Sequence, residues 1–200
     1  MPKYLGVLLS LRIIKKEIPI TIKKSKKAHY SIADNLFRFW FYACDTNLSY
    51  LENGREGFVY DEFVRRNLKS IVAYSFESVS REVVKKLRPF GVNEIGKWWG
   101  RDPGKPKGMN EEEIDVVATN DEGREILFGE CKWSNEQVGP KIYHELRNKA
   151  RLVEWHSGSR KEHYLLFSKS GFTERMKEVA KEEKVMLHDL ASIERVMRGR

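Results

Sequence analysis

Residues 113–133, EIDVVATNDEGREILFGECKW, decide how the rest of the chain is read. Two short runs rich in Val, Ile, Leu and Phe flank the polar Asn120-Asp121-Glu122-Gly123 segment, the pattern of two antiparallel strands joined by a hairpin. The strands are apolar on both faces, which places them inside a covered sheet rather than in a solvent-facing hairpin. Asp115, Glu130 and Lys132 interrupt these runs. A charge within a buried strand is costly unless it is paired or bound to a metal, so the three residues require a role.

Register supplies part of it. With residues 120–123 as the loop, Thr119 faces Arg124 and Asp115 faces Phe128. Side chains alternate with period two and cross-strand partners share a face, so Asp115, Glu130 and Lys132 point to one side. Asp115 and Glu130 become diagonal neighbours with Cα atoms roughly 7–8 Å apart, a separation that one divalent ion can bridge. A loop one residue longer or shorter would turn Asp115 to the opposite face.

Asp115 followed by Glu130-Cys131-Lys132 at the end of the next strand resembles the PD-(D/E)xK motif of the restriction-endonuclease-like nuclease superfamily, with Ile114 where that motif carries its proline. A wider set is similar to the C-terminal domain of archaeal P-loop ATPases, which belongs to the same superfamily. It comprises Phe76-Glu77, Trp98-Trp99, Ile114-Asp115, Gly129-Glu130-Cys131-Lys132-Trp133 and Ser170-Gly171-Phe172, and the likeness spans nearly the whole chain. The resemblance implies an α/β fold over residues 71–200, a restriction-endonuclease-like mixed central sheet flanked by helices.

The same resemblance implies catalytic roles for Asp115, Glu130, Lys132 and Glu77. Asp115, Glu130 and the backbone carbonyl of Cys131 would hold Mg²⁺ or Mn²⁺, with the Cys131 thiol on the opposite face. Lys132 would position the attacking water or stabilise the transition state. Glu77 matches the acidic residue that the superfamily carries on the helix before the first sheet strand. An ordinary i,i+4 surface pair with Arg81 also accounts for Glu77, and the resemblance alone favours the functional role.

The remaining composition bounds the function. Two hundred residues suffice for one domain with a core, or one domain and a small appendage. The formal net charge is +8, which favours a polyanionic partner such as DNA, although many soluble proteins are this basic. No run is long and apolar enough for a bilayer span and no signal-peptide layout is present, so the expectation is a cytoplasmic chain without a membrane partner. Cys44 and Cys131 form no C-x-x-C pair and read as reduced thiols. His29, His144, His156, His163 and His188 lack zinc-ligand spacing. Gln137 is the sole glutamine beside abundant Lys and Glu, a composition that leans towards thermophiles.

In chain order, Leu5, Leu8, Leu9 and Ile13 suit an amphipathic helix over residues 4–16, followed by strands at 19–22 and 29–32 around the Lys23-Lys24-Ser25-Lys26-Lys27 turn. Helix and basic hairpin resemble the end of the winged helix that precedes the C-terminal domain in the archaeal ATPases, so residues 1–45 are assigned as a partial winged-helix-like segment. Its earlier helices and any G-x-x-x-x-G-K-[ST] loop are missing, and the chain reads as a fragment or natural truncation without the ATP-binding part. Residues 46–70 connect, with a polar linker over 48–57. Residues 58–87 are helical with a break near Ala73, and Phe76, Val79, Val83 and Leu87 form one face.

A first strand spans 93–100, and a loop at 101–110 carries Arg101, Lys105 and Lys107. Pro140 opens a helix to about Trp155, with no spacing that requires Lys149 at the site. Strand 162–168, a helix capped by Thr173, and strand 185–190 imply a parallel pair with a crossover.

These readings lead to metal-dependent phosphodiester hydrolysis of DNA, with a homodimer and an associated ATPase as further partners. The alternative is a catalytically inactive DNA- or protein-binding or regulatory module that retains the fold. A third possibility is that the three charges form a structural ion network.

Overall fold

The computed structural model describes residues 3–21 and 28–199. The chain divides into one unit of Met1–Glu17 with Lys27–Ser75 and another of Ile18–Lys26 with Phe76–Arg200. The first holds helix α1 (Lys3–Ser10), the antiparallel strands β1 (Ile14–Glu17) and β2 (His29–Ile32), and the short helices α2 (Asn35–Phe39), α3 (Leu48–Glu52) and α4 (Glu56–Val59). Asp34 caps α2 by accepting the N–H groups of Leu36 and Phe37 at 2.8 and 3.0 Å.

Three local expectations need correction. The strand before the lysine turn is β1, not 19–22. Helix α1 stops early because Arg12 takes a left-handed φ of 57°, and Pro19 has no N–H for a ladder. Ile20 instead gives its N–H to the carbonyl of Lys97 at 2.8 Å and its side chain to the core of the second unit. The lysine turn lies outside the described residues. The polar 48–57 stretch is largely helical, because the amides of Asn47 and Asn53 donate to the carbonyls of Ala43 and Ser49, four residues back, and sustain the turns. The irregularity expected near Ala73 falls at Tyr60–Arg65, where the turns widen. Helix α5 (Arg66–Leu87) runs through Ala73 without a break.

The second unit is built on a five-stranded sheet in the order β3 (Glu94–Arg101), β4 (Glu111–Asn120), β5 (Glu125–Lys132), β6 (Lys161–Ser168), β7 (Met186–Asp189). Strands β3 to β5 are antiparallel, and β5 to β7 are parallel. Helices α6 (Pro140–Ala150), α7 (Glu174–Glu183) and α8 (Leu190–Arg198) complete it. This is the expected α/β class, a mixed sheet flanked by helices. On one face Ile114, Val117, Ile126, Phe128 and Leu166 pack with Tyr143 and Leu146 of α6 and Met176 of α7. On the other, Val116, Ala118, Leu127, Leu165 and Phe167 meet Phe76, Val83 and Val84 of α5 and Ile193 of α8. Helix α6 ends at Ala150 rather than near Trp155, because the Arg160 guanidinium collects the carbonyls of Ala150, Val153 and Trp155.

The hairpin register differs from the expected one by two. Asn120 pairs with Glu125 and Val116 with Gly129, so the turn is residues 121–124. The Asn120 side chain accepts the Gly123 N–H at 3.1 Å, and Arg124 adopts a φ of 48°. A slip of two preserves the alternation, so Asp115 falls opposite Glu130 instead of diagonal to it.

A bulge not foreseen from the sequence lies at the same place. Gly96 pairs with Val117 but Trp98 pairs with Ile114, so Lys97 opposes both Asp115 and Val116. Gly129 permits the strands to come close just before this point. A Cβ there would stand 3.0 Å from that of Val116.

Candidate functional site

The bulge re-aims Asp115. Its Oδ2 accepts the backbone N–H of Cys131 at 2.8 Å, which places the carboxylate across the gap between β4 and β5. Its carbonyl accepts Nη1 of Arg81 at 3.2 Å, and Nη2 of the same guanidinium reaches Ser78 Oγ at 3.1 Å. The second carboxylate oxygen of Asp115 has no hydrogen-bond partner among the described residues.

Glu130 is enclosed, its side chain only 7% exposed. Lys132 Nζ lies 2.7 Å from its Oε1, and Lys149 Nζ reaches both oxygens from α6, at 3.3 and 3.1 Å. Glu77, from α5, pairs with Lys97 at 2.6 Å, and Lys97 also holds Glu113 at 2.7 Å. Cys131 packs into the α5 side with Phe76 and Val83.

Three carboxylates and three lysines therefore meet where β4 and β5 part, with unequal pairing. Glu130 has two ammonium partners, Glu77 has one, and Asp115 has a single backbone N–H. Burial first, then the charges of Glu130 and Glu77, push the Asp115 carboxyl up to about 7, against the opposing pull of the Cys131 N–H and Lys97. For Lys132, burial disfavours the charge, but Glu130 and Asp115 outweigh it and hold the ammonium above its ordinary range. Lys97 is held up likewise by Glu113 and Glu77. Burial, and then Asp115, push the Cys131 thiol well up, so this cysteine is no thiolate nucleophile.

The helix carrying Glu77 also departs from expectation. Arg81 makes no surface pair with Glu77; it is 9% exposed and turned towards the bulge. Val79 is 38% exposed, and its expected place on the buried face is taken by Ser80, whose hydroxyl donates to the Phe76 carbonyl at 2.9 Å. The buried stripe is Phe76, Ser80, Val83 and Val84, spaced i, i+4, i+7, i+8.

Lys97 was missed as a site residue, whereas Lys149, which no spacing required at the site, is brought to it from α6. Lys149 had a signal: it adjoins Ala150 and lies three residues after Leu146, both buried, so it borders the inward stripe of α6. Lys97 had none, since its reach to Glu77 depends on the bulge. Of the loop cations, Lys105 is engaged with Glu112 and Asp102, while Arg101 and Lys107 are exposed.

The motif around Ser170 fastens this end of the sheet. Lys169 N–H donates to the Lys132 carbonyl at 3.0 Å, Ser170 Oγ to the Ser134 carbonyl at 2.6 Å, and Ser168 Oγ to the Gly171 carbonyl at 2.8 Å. Trp133 packs on Phe76 with ring centroids 5.1 Å apart and carries Lys169 Nζ 5.3 Å from its own centroid. The carboxyl ends of parallel strands, here β5 and β6, are where open α/β sheets bind ligands.

Among the described residues, no three His, Cys, Asp or Glu side chains are grouped so as to hold a metal unaided. The donors that Asp115 and Glu130 supply are carboxylate oxygens, and such a set suits a hard cation. Crowded carboxylate charge with one oxygen of Asp115 unengaged fits a divalent ion in kind.

Fold and site together define an α/β protein with a carboxylate and lysine cluster at a sheet bulge. Residues 40–146 match the family DUF234, described as archaea bacterial proteins of unknown function, and the chain belongs to that family. Over 159 residues it is 35% identical to the uncharacterized protein MJECL04 of Methanocaldococcus jannaschii, a match covering 75% of this chain and 33% of that protein. The chain thus spans about a third of that relative's length. Among solved structures it is similar to the protein of unknown function AF1548, with 23% identity, 60% of each chain covered and a TM-score of 0.39. It is also similar to the MspJI restriction endonuclease in complex with a 27-mer oligonucleotide, with 14% identity, 62% of this chain and 27% of that one covered, and a TM-score of 0.37. No helix among the described residues is long and apolar enough to cross a membrane.

Proposed function

We propose that this chain carries a metal-dependent nuclease site that hydrolyses phosphodiester bonds of DNA. One observation carries the reading: Asp115, opposite Glu130 and with an oxygen unengaged, has its carboxyl pushed up to about 7 by burial and by two neighbouring carboxylates. Burial and the neighbouring acids disfavour the negative form of this carboxyl, and a bound cation would relieve that cost. Asp115, Glu130 and the carbonyl of Cys131 would hold Mg²⁺ or Mn²⁺. Once bound, the ion supplies a more acidic water and neutralises charge on the phosphate.

The side chains do the rest. The Lys132 ammonium, kept charged and about a third exposed, presents its positive end to the phosphate oxygens as charge develops on them. Arg81 fixes the carbonyl of Asp115 and so aims its carboxylate. Lys97 holds Glu77 beside it. The net charge of +8 suits a nucleic-acid partner. Association with an ATPase follows from the likeness of the motif set alone, and cutting both strands of a duplex would call for two copies.

A second reading has its own support. Both oxygens of Glu130 are occupied by lysines, as in an ion network of a module that binds DNA or protein without cleaving it. The test is incubation of the full chain with single-stranded, duplex and branched DNA in Mg²⁺ or Mn²⁺. Cleavage lost on chelation, and reduced about a hundredfold or more in Asp115→Ala and Lys132→Ala, is the expected result. Binding without cleavage across the panel, unchanged by either substitution, favours the second reading.

A further inference from the structure

Glu130 is unusual for a nearly enclosed carboxylate in having two ammonium partners, one of them from another element of the fold. Lys132 takes a single oxygen of Glu130, whereas Lys149 spans both, at 3.1 and 3.3 Å. Lys149 thus occupies the lone pairs that a cation would need, and two positive groups do not share one carboxylate cheaply.

Lys149 also has somewhere to go. Its side chain, 22% exposed, borders a groove of about 600 Å³ whose walls include Glu145 and Asn148 on its own helix, Arg151 just past it, and Asp102, Lys105 and Glu112 beyond. Lys105 already engages Asp102 and Glu112, so the acid placed to receive a displaced ammonium is Glu145, one helical turn before Lys149. The groove's mixed charge is poorly suited to tracking a phosphate backbone and well suited to parking a lysine.

We infer that Lys149 holds the cation's place on Glu130 in the metal-free chain and yields it, turning into the adjoining groove, when a divalent ion binds. This rests on the metal site proposed above. Lys149 is a positioning residue: it keeps Glu130 ordered and its charge balanced until the ion takes over.

The experiment is Mn²⁺ titration of the full chain, with free ion followed by electron paramagnetic resonance, so that binding is read without activity. Lys149→Met should bind Mn²⁺ roughly tenfold more tightly than the wild type, because the competitor is gone. Lys149→Arg, which keeps the charge, should stay near the wild type. Lys169→Met removes one positive charge at the same end of the sheet without touching Glu130, and should change affinity by less than about threefold. Lys149→Gln serves in place of the methionine variant if circular dichroism shows that the latter does not fold. Unchanged or weaker Mn²⁺ binding in the variant that removes the charge, Lys149→Met or Lys149→Gln, with the wild type binding normally, overturns the inference alone. No binding in any chain overturns both the inference and the metal site on which it rests.

Discussion

Strands β4 and β5 are opposites at their two ends. From Val116 to Thr119 and from Ile126 to Gly129 the ladder is regular and sealed, with Val116, Val117, Ala118, Ile126, Leu127 and Phe128 wholly buried. Immediately beyond Val116 and Gly129 the same strands carry Asp115, Glu130 and Lys132; the β4–β5 pairing ends there, and β4 bulges against β3. The apolar end gains stability from every residue it buries. The charged end holds an acid that, among the described residues, has no ammonium partner and lies next to two other acids, an arrangement that costs stability. A fold optimised for stability alone would carry the ladder to the end of the strand, so the contrast marks where stability yields to chemistry.

Substitutions at the two ends sharpen or break that contrast. The largest effect belongs to the sealed end: Phe128→Ala should cost about 3–5 kcal/mol in denaturant unfolding, because the surrounding side chains of both strands and α6 leave a cavity. A loss under about 1 kcal/mol would show that the core there is not the rigid partner described.

Next comes Asp115. Its folded-state carboxyl, at about 7, lies above the ordinary 3.8, so between these values the folded chain keeps a proton that the unfolded chain has released. Stability therefore falls as pH rises through that window and levels off above about 7. Asp115→Asn should flatten this slope and, at pH 8, leave the chain more stable by on the order of 2–3 kcal/mol. Thermal melts from pH 4 to 9 read both. Strong destabilisation by the same substitution would mean that the acid is held as a structural partner.

The smallest effect is expected from Lys132→Met, about 1 kcal/mol or less, since the lysine is partly exposed and Lys149 still compensates Glu130. A loss above about 3 kcal/mol would make the cluster a structural ion network.

What the sequence conveyed follows the range of the interactions. The strands, the crossover and the coming together of Asp115 and Glu130 were legible because alternation is local and survives a slip of two. The bulge was not, since one extra residue in β4 is defined only against β3. With it went Lys97, whose partners Glu77 and Glu113 come from α5 and β4. Arg81 looked like the surface mate of Glu77 by i,i+4 spacing, yet the carbonyl freed at the bulge offered a better acceptor. Ser80 was passed over for Val79 because polarity suggests exposure, while a hydroxyl that bonds back to Phe76 is buried at little cost. In the N-terminal unit the expected strand 19–22 failed at Pro19, and Ile20 was claimed by the edge of β3.

Gly129 gives the cluster its dimensions. A methyl group at that position would stand 3.0 Å from the Cβ of Val116, tight enough that the two strands must ease apart slightly just where Asp115 spans from one to the other. The spacing between the acids is therefore governed by the smallest possible substituent on the neighbouring residue. A change of one carbon at position 129, itself devoid of chemistry, would reach the cluster without touching a carboxylate.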